Sequence, residues 1–331
     1  MLQIADTWTW DFWVADTGNL YHIFFLRASK NCDCNDRHDI VRNPDERHFE
    51  AVIGHATSTD LVNWDLLPNV FKTSEDESFD DKATWTGSVL KGPDQMWYMF
   101  YTGISKKEAG LIQRIGLATS GDLYTWEKQR DFHTLSADER WYEKLGESTW
   151  PNETWRDPWV FEDPSGYGWH MLITARARDG ASDDDRGVIG HARSSDLLHW
   201  EIQPPLSKPG SGFGDLEVPQ VQVVDGRPVL LFSCITREFS LVRKIAGSEG
   251  GGCGGVWAVP SGSMLGPFDI PHAQLITDDK LYAGRLIQGR QGQWLFLAFV
   301  NGDGGGQFIG RLNDPLSLLW NSDNTISLKP L

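Results

Sequence analysis

A twelve-residue segment that occurs three times constrains the fold of this chain more than any other feature. Ile53-Gly54-His55-Ala56-Thr57-Ser58-Thr59-Asp60-Leu61-Val62-Asn63-Trp64 returns, with substitutions, between Ile115 and Trp126 and again between Ile189 and Trp200. The intervals of 62 and 74 residues are too long for a solenoid coil and suit a four-stranded propeller blade with insertions. Each copy reads as a strand, a tight Ser/Asp turn, and a second strand opening on Trp.

Upstream of each copy lies an aromatic and aliphatic strand, and this unit persists where the first fades. Tyr21 to Leu26, Trp97 to Thr102, Trp169 to Thr174, Val229 to Ser233 and Trp294 to Phe299 are five such strands, so five blades are expected. The third strands of blades four and five are expected near Gly255 to Val259 and Phe308 to Leu312. Turn signals precede each strand (Asp16-Thr17-Gly18-Asn19, Gly92-Pro93-Asp94, Asp163-Pro164-Ser165-Gly166, Asp225-Gly226, Gly289 to Gly292), and before each turn comes another strand. These first strands begin at Trp10-Asp11-Phe12-Trp13, Trp85-Thr86-Gly87-Ser88, Arg156-Asp157-Pro158-Trp159, Leu216-Glu217-Val218-Pro219 and Tyr282-Ala283-Gly284-Arg285. In a propeller they line the central channel, and their starts gather at one mouth. The fold class is therefore all-β: a single five-bladed propeller of four-stranded blades spanning 1–331 as one domain.

Long polar insertions follow the second strands (Arg27 to Glu50, Arg176 to Arg186, Ile235 to Gly254) or precede the next blade (Leu66 to Thr84, Glu127 to Trp155). In an up-and-down blade both connections fall on the face where the first strand begins, which makes that face the functional candidate.

The chain carries 46 acidic and 30 basic residues, a net charge of −16, so nucleic-acid and anionic-membrane partners are not expected. No apolar run approaches the roughly 18 residues that span a bilayer, and Met1 to Asp6 lacks a signal peptide's basic start and apolar core, so a cytoplasmic location is expected. Four cysteines do not make a disulfide scaffold: Cys234 reads as a reduced strand cysteine and Cys253 as a loop residue. Cys32-Asp33-Cys34 is too tight for the usual zinc spacing, and with His38 it reads as part of a solvated loop. The glycine-rich runs Gly250 to Gly255 and Gly302 to Gly306 read as loops; neither a cofactor nor a metal is expected.

Aligning the five blade starts places Asp11, Asp157 and Glu217 in the same register, with uncharged residues in blades two and five. Three like charges converging on a channel mouth repel one another and are partly desolvated, a cost that function has to justify. The 16 Trp residues fill space between sheets and also offer plates on which sugars stack. Carboxylates among Trp suit glycoside chemistry: an acid for the leaving oxygen, a nucleophile or base for the anomeric carbon, and a third group to hold hydroxyls.

Trp10-Asp11-Phe12-Trp13 resembles the Trp-Asp-Ser-Trp segment of glycoside hydrolase family 68, the levansucrase group. Trp85-Thr86-Gly87-Ser88 resembles the Trp-Ser-Gly-Ser motif of families 68 and 32. Arg156-Asp157-Pro158 is similar to their Arg-Asp-Pro motif, and Leu216-Glu217-Val218-Pro219 occupies the place of their acid/base motif. The resemblance implies Asp11 as nucleophile, Asp157 as transition-state stabiliser on fructosyl hydroxyls, and Glu217 as general acid/base. It implies Trp10, Trp85 and Arg156 as walls of the sugar subsite; Thr86, Asp215 and Arg285 join them as candidate substrate-binding residues. Family 43, arabinofuranosidases and xylosidases of the same fold with an inverting outcome, is a more distant likeness.

There are departures. Phe12 replaces Ser after the nucleophile, Thr86 replaces Ser in the second motif, and Val218 stands where levansucrases carry Arg, so water is expected to outcompete a sugar acceptor at low substrate. Family 32 members usually append a β-sandwich; about twenty residues follow the fifth blade here, so none is expected. Glu217, among Leu216, Val218 and Pro219, is expected to be protonated by burial, with Asp11 and Asp157 ionised. The resulting expectation is a retaining hydrolase of terminal β-fructofuranosides in sucrose or other short substrates. The alternatives are a fructosyltransferase, an inverting arabinofuranosidase or xylosidase, and a carbohydrate-binding propeller without catalysis.

Overall fold

The repeated segment owes its sequence to one turn. Ser58 Oγ accepts the backbone N–H groups of Asp60 and Leu61 at 3.1 and 2.9 Å, and Asp60 Oδ1 accepts those of Val62 and Asn63 at 2.9 and 2.8 Å. Ser120 with Asp122, and Ser194 with Asp196, repeat the pattern. The turn forces the intervening leucine into the left-handed region: φ is 63° at Leu61, 68° at Leu123 and 67° at Leu197. Each of these side chains is buried, so apolar burial offsets a backbone cost of about 1–2 kcal/mol. In blades two and three the terminal Trp closes the turn by donating its indole N–H to the leucine carbonyl.

A computed structural model describes residues 1–31, 43–248, 252–302 and 307–331. Five antiparallel sheets follow one another in chain order, each built from consecutive strands. The innermost strands are Thr7–Asp16, Ala83–Lys91, Trp155–Glu162, Glu217–Val224 and Leu281–Gln288. They pack in succession around a central axis, the fifth returning against the first. The apolar core lies between neighbouring sheets, with Trp10, Trp13 and Trp155 among its largest fully buried side chains. The motif-bearing mouth also carries the short helix Leu241–Ser248. No helix among the described residues is long and apolar enough to cross a membrane. Cys234 is buried and unbridged, and Cys253 is unbridged in a loop. The Cys32 to Asp39 stretch, Gly250 and Gly251 of one glycine-rich run, and Asp303 to Gly306 of the other lie outside the described residues.

Two boundaries differ from the sequence reading. The stretch Leu66 to Thr84 is not all loop, because Asp65–Phe71 forms the outer strand of blade one. Blade five has five strands rather than four. Phe308–Leu312 pairs only with the Phe299–Gly302 end of the second strand, while Leu316–Trp320 pairs with its Leu295–Phe296 end and carries Ile326–Pro330 outside it. The segment beyond the expected fifth blade is thus that blade's outer hairpin.

Every innermost strand is broken at the same place. Pairing with the second strand skips Asp11, Thr86, Asp157-Pro158, Val218-Pro219 and Ala283-Gly284 in blades one to five. These are β-bulges, which re-aim side chains at the mouth of the channel. The last three hold a non-glycine residue at φ 57° (Asp157), 52° (Val218) and 51° (Ala283). In each case the strained residue donates its N–H to a hydroxyl on the second strand of the preceding blade: Asp157 to Thr102 at 3.0 Å, Val218 to Thr174 at 3.1 Å, Ala283 to Ser233 at 3.0 Å. The hydroxyl satisfies a donor that the broken ladder leaves free, and it pins one blade to the next.

Candidate active site

The bulges correct the register read by eye. Glu217 pairs with Ser233 just before its bulge, as Arg156 pairs with Thr174 and Trp10 with Leu26. Glu217 therefore occupies the position of Trp10, Trp85, Arg156 and Tyr282, while Val218 occupies that of Asp11 and Asp157. The three carboxylates nevertheless line one cavity of about 510 Å³.

Blade one contributes Trp10, Asp11 and, from the insertion after its second strand, Asp45, His48 and Phe49; blade two contributes Trp85, Thr86 and Gln113. Trp150, Pro151, Asn152, Arg156 and Asp157 enter with blade three, and Asp215, Glu217, Arg237 and Glu238 with blade four. The insertion wall is anchored: Trp85 donates its indole N–H to the His48 carbonyl at 2.6 Å, and the His48 ring meets Trp10 and Trp85 edge-on. Trp150 rests on the Arg176 guanidinium, 3.8 Å from its ring, and over Gly214, where a Cβ would come within 2.6 Å of the indole. Glycine at 214 is what admits this wall.

Charge is organised around Arg156, whose side chain is largely buried in the cavity wall. Its Nη2 donates to Asp215 Oδ2 and to Glu217 Oε1, both at 2.7 Å, and its Nε lies 3.6 Å from Asp157. Gln113 holds the same guanidinium from behind at 3.3 Å. The other Glu217 oxygen accepts the Tyr282 hydroxyl. Leu216 and Val218 are buried in the core, yet the Glu217 carboxylate itself meets a cation and a phenol, which replaces the apolar surround expected from its flanking sequence.

Asp11 accepts the Thr86 hydroxyl. Burial pushes its pKa up to about 7, the Asp157 charge adds to the rise, and the Thr86 hydrogen bond and Arg285 oppose it. Asp157 is also raised by burial, against Arg156; the Thr174 hydroxyl donates to it at 2.9 Å and the Val218 N–H at 3.1 Å. Within this cavity, then, Asp11 and Asp157 are harder to ionise than free carboxyls, because burial outweighs the neighbouring cations. Asp215 is lifted to about 6 by burial, and Glu238 well above the carboxylate range by burial and by Glu217.

Asp215 Oδ1 and Glu238 Oε2 are buried and have no hydrogen-bond partner among the described residues. Asp215, Glu217 and Glu238 also bring oxygens within 4.8 Å of one another, a spacing open to a cation, although Arg156 already supplies positive charge to two of them. Of the nine candidates, Arg285 alone is missing from this wall. It is 1 % exposed and turned behind the carboxylates, with Nε on the Phe12 carbonyl at 3.2 Å and Nη1 on those of Val218 and Pro219 at 3.2 and 2.9 Å. Sequence reasoning missed His48, Gln113, Trp150, Arg237, Glu238 and Tyr282. All but Gln113 and Tyr282 come from insertions without a repeat to align.

Comparison with known proteins agrees with this architecture. The family described as glycosyl hydrolases family 32 N-terminal domain matches residues 42–249. The chain is 26 % identical over 182 residues to the insoluble beta-fructofuranosidase isoenzyme CWINV6 of Arabidopsis thaliana, covering 53 % of this chain and 30 % of that protein. It is 28 % identical over 170 residues to the fructan 6-exohydrolase of Beta vulgaris, covering 50 % and 26 %. The match thus spans less than a third of these relatives' length. In fold the chain is similar to the inulosucrase from Halalkalicoccus jeotgali bound to kestose, with a TM-score of 0.76 at 22 % identity over 99 % of this chain and 89 % of that one. It is also similar to Bacillus subtilis levansucrase, with a TM-score of 0.71 at 15 % identity over 98 % and 86 %.

Proposed function

Because this chain belongs to the glycosyl hydrolases of family 32, we propose that it is a retaining glycoside hydrolase that releases terminal fructose from short β-fructofuranosides. The observation that carries the reading is the meeting of Asp11, Asp157 and Glu217 in one cavity whose walls also hold Trp10, Trp85 and Arg156. The relatives named beta-fructofuranosidase and fructan exohydrolase support the same substrate class.

In this mechanism Asp11, ionised, attacks the anomeric carbon while Glu217 protonates the departing glycosidic oxygen, and a covalent fructosyl-enzyme forms with inversion at that carbon. Glu217 then takes a proton from water, which displaces Asp11 with a second inversion, so configuration is retained. Asp157, held by Thr174 and the Val218 N–H, accepts hydroxyls of the sugar as positive charge grows on its ring. Arg156 orients Glu217 and Asp215 together.

The test is NMR of the products immediately after mixing with sucrose or a short fructan. β-Fructose appears first under this mechanism. Initial α-fructose would mean inversion, remove the nucleophile role from Asp11 and favour an arabinofuranosidase-like chemistry. Transfer to sugar is the second reading, favoured by one observation. Val218 is buried in its bulge and cannot reach an acceptor, but Arg237 lines the cavity and offers a donor to one. Some fructosyl transfer at high substrate is expected.

A further inference from the structure

We propose that Arg285 is the positioning residue that fixes the nucleophile Asp11 relative to the acid/base Glu217, acting from blade five, behind the cavity; this inference rests on the roles assigned above. Asp11 and Glu217 sit on different blades, Asp11 in the bulge of blade one and Glu217 beside that of blade four, where the strand ladder is interrupted. A bulge leaves carbonyls without their strand partner and frees the backbone to shift, so something else has to hold it. The three carbonyls that follow the two residues in sequence, Phe12 O after Asp11 and Val218 O and Pro219 O after Glu217, all receive N–H groups of one guanidinium.

The planar fork of arginine suits this task. Its Nε reaches blade one and its Nη1 reaches blade four, and the fixed angle between them sets the spacing of the two backbones. The same strand supplies a second tie, since Tyr282, three residues earlier, donates its hydroxyl to the Glu217 carboxylate. Blade five puts no residue on the cavity wall among the described residues, so its contribution to the site is made from the rear. Arg285 is almost fully buried, and its charge also faces Asp11 and Asp157. The charged and titratable groups around Asp11 are Asp157 from blade three, Glu217 from blade four, Arg285 from blade five and Arg47 from the blade-one insertion, with the Thr86 hydroxyl from blade two.

Two substitutions separate the clamp from the charge. Arg285→Lys keeps the charge, but a single ammonium cannot hold both blades; kcat per folded molecule is expected to fall roughly 10²-fold with KM within about threefold, since misplacement near 1 Å costs that much. The acid limb of its pH profile is expected to stay where wild type has it. Arg285→Met should lose kcat comparably and move the acid limb upward, because a cation that favours ionised Asp11 is gone. A purely structural role would lower the folded fraction and leave both kcat per folded molecule and the pH profile as in wild type. Wild-type kcat in Arg285→Lys, or an unmoved acid limb in Arg285→Met, overturns the proposal. A crystal structure of the wild type tests it even if neither variant folds: Arg285 nitrogens beyond hydrogen-bond reach of the Phe12 and Val218 carbonyls would also overturn it. A wild type inert on every fructoside refutes the functional reading instead, and is seen before any variant is made.

Discussion

Thr86→Val is the most incisive perturbation of the site, because it removes one oxygen and changes almost no volume. Thr86 is 1 % exposed and its hydroxyl donates to Asp11 Oδ2, which counters the burial of that carboxylate. A hydrogen bond to a charged acceptor contributes about 1.5–3 kcal/mol, and 1.36 kcal/mol corresponds to one pKa unit. Taking the lower figure, loss of the hydroxyl raises Asp11 from about 7 to about 8. As the proposed nucleophile Asp11 has to be ionised to attack, so activity is expected to rise with pH through its pKa. The ionised fraction at pH 6 then drops from about 0.09 to about 0.01, roughly tenfold, while at pH 9 both proteins are largely ionised. The assay is kcat/KM for sucrose or a fructo-oligosaccharide between pH 4.5 and 9, which reports groups of the free enzyme. Thr86→Ser keeps the hydroxyl and should return the acid limb to its wild-type place. An acid limb that does not move in Thr86→Val would show that the titrating group is not Asp11, and the assignment of the nucleophile would fall with it.

Asp11→Asn and Glu217→Gln should each lower turnover by roughly 10²-fold to 10⁴-fold with the fold intact by circular dichroism; near wild-type turnover in Asp11→Asn would move the nucleophile elsewhere. Two buried histidine pairs, His22 Nδ1 to His55 Nε2 at 3.0 Å and His170 Nδ1 to His191 Nε2 at 2.9 Å, should make the fold acid-sensitive. Burial holds His55 at about 3 and His191 at about 4, below the unfolded value near 6.5, so the unfolded chain takes up protons first and stability falls as pH drops from about 6.5 towards 4. Blade two carries Tyr98 and Leu117 at the corresponding positions; a His22→Tyr, His55→Leu double variant should therefore lose less of its urea midpoint between pH 7 and pH 5 than wild type, and an equal loss would contradict the argument. Gly87→Ala places a Cβ 2.3 Å from the Phe100 carbonyl oxygen at the blade-two bulge and should cost about 1–3 kcal/mol, read as a lowered melting temperature.

What could be read from the sequence follows from which contacts demand particular residue types. The Ser-x-Asp turn needs a hydroxyl and a carboxylate at fixed spacing, so it repeats almost unchanged and reveals three blades at once. The second strands betray the other two because a sheet buried on both faces favours apolar and aromatic residues along most of its length. Bulges leave no such signature. Asp157, Val218 and Ala283 share a backbone conformation but not a side chain, so an alignment by eye put Glu217 one place late. The hydroxyls of Thr102, Thr174 and Ser233, near the ends of the second strands, mark the true register. His48, Arg237 and Glu238 could not be found that way, because their insertions occur once and are placed by tertiary contact.

The order of strands bears on how the chain acquires activity. Within each sheet, pairing closes short loops between consecutive strands, and such local structure forms fast. Blade five reaches blade one across 267 residues at Tyr21 and Gln288, 273 at Phe12 and Arg285, and 274 at Asp16 and Arg290. Contacts of such span close the longest loops in the chain, so the ring shuts after its blades have formed. Tyr282 and Arg285 arrive with that final event, and until they dock the bulges carrying Asp11 and Glu217 have no common tether. After dilution from denaturant, far-ultraviolet dichroism should recover ahead of fructoside cleavage, with the lag between them measuring the time the ring takes to close.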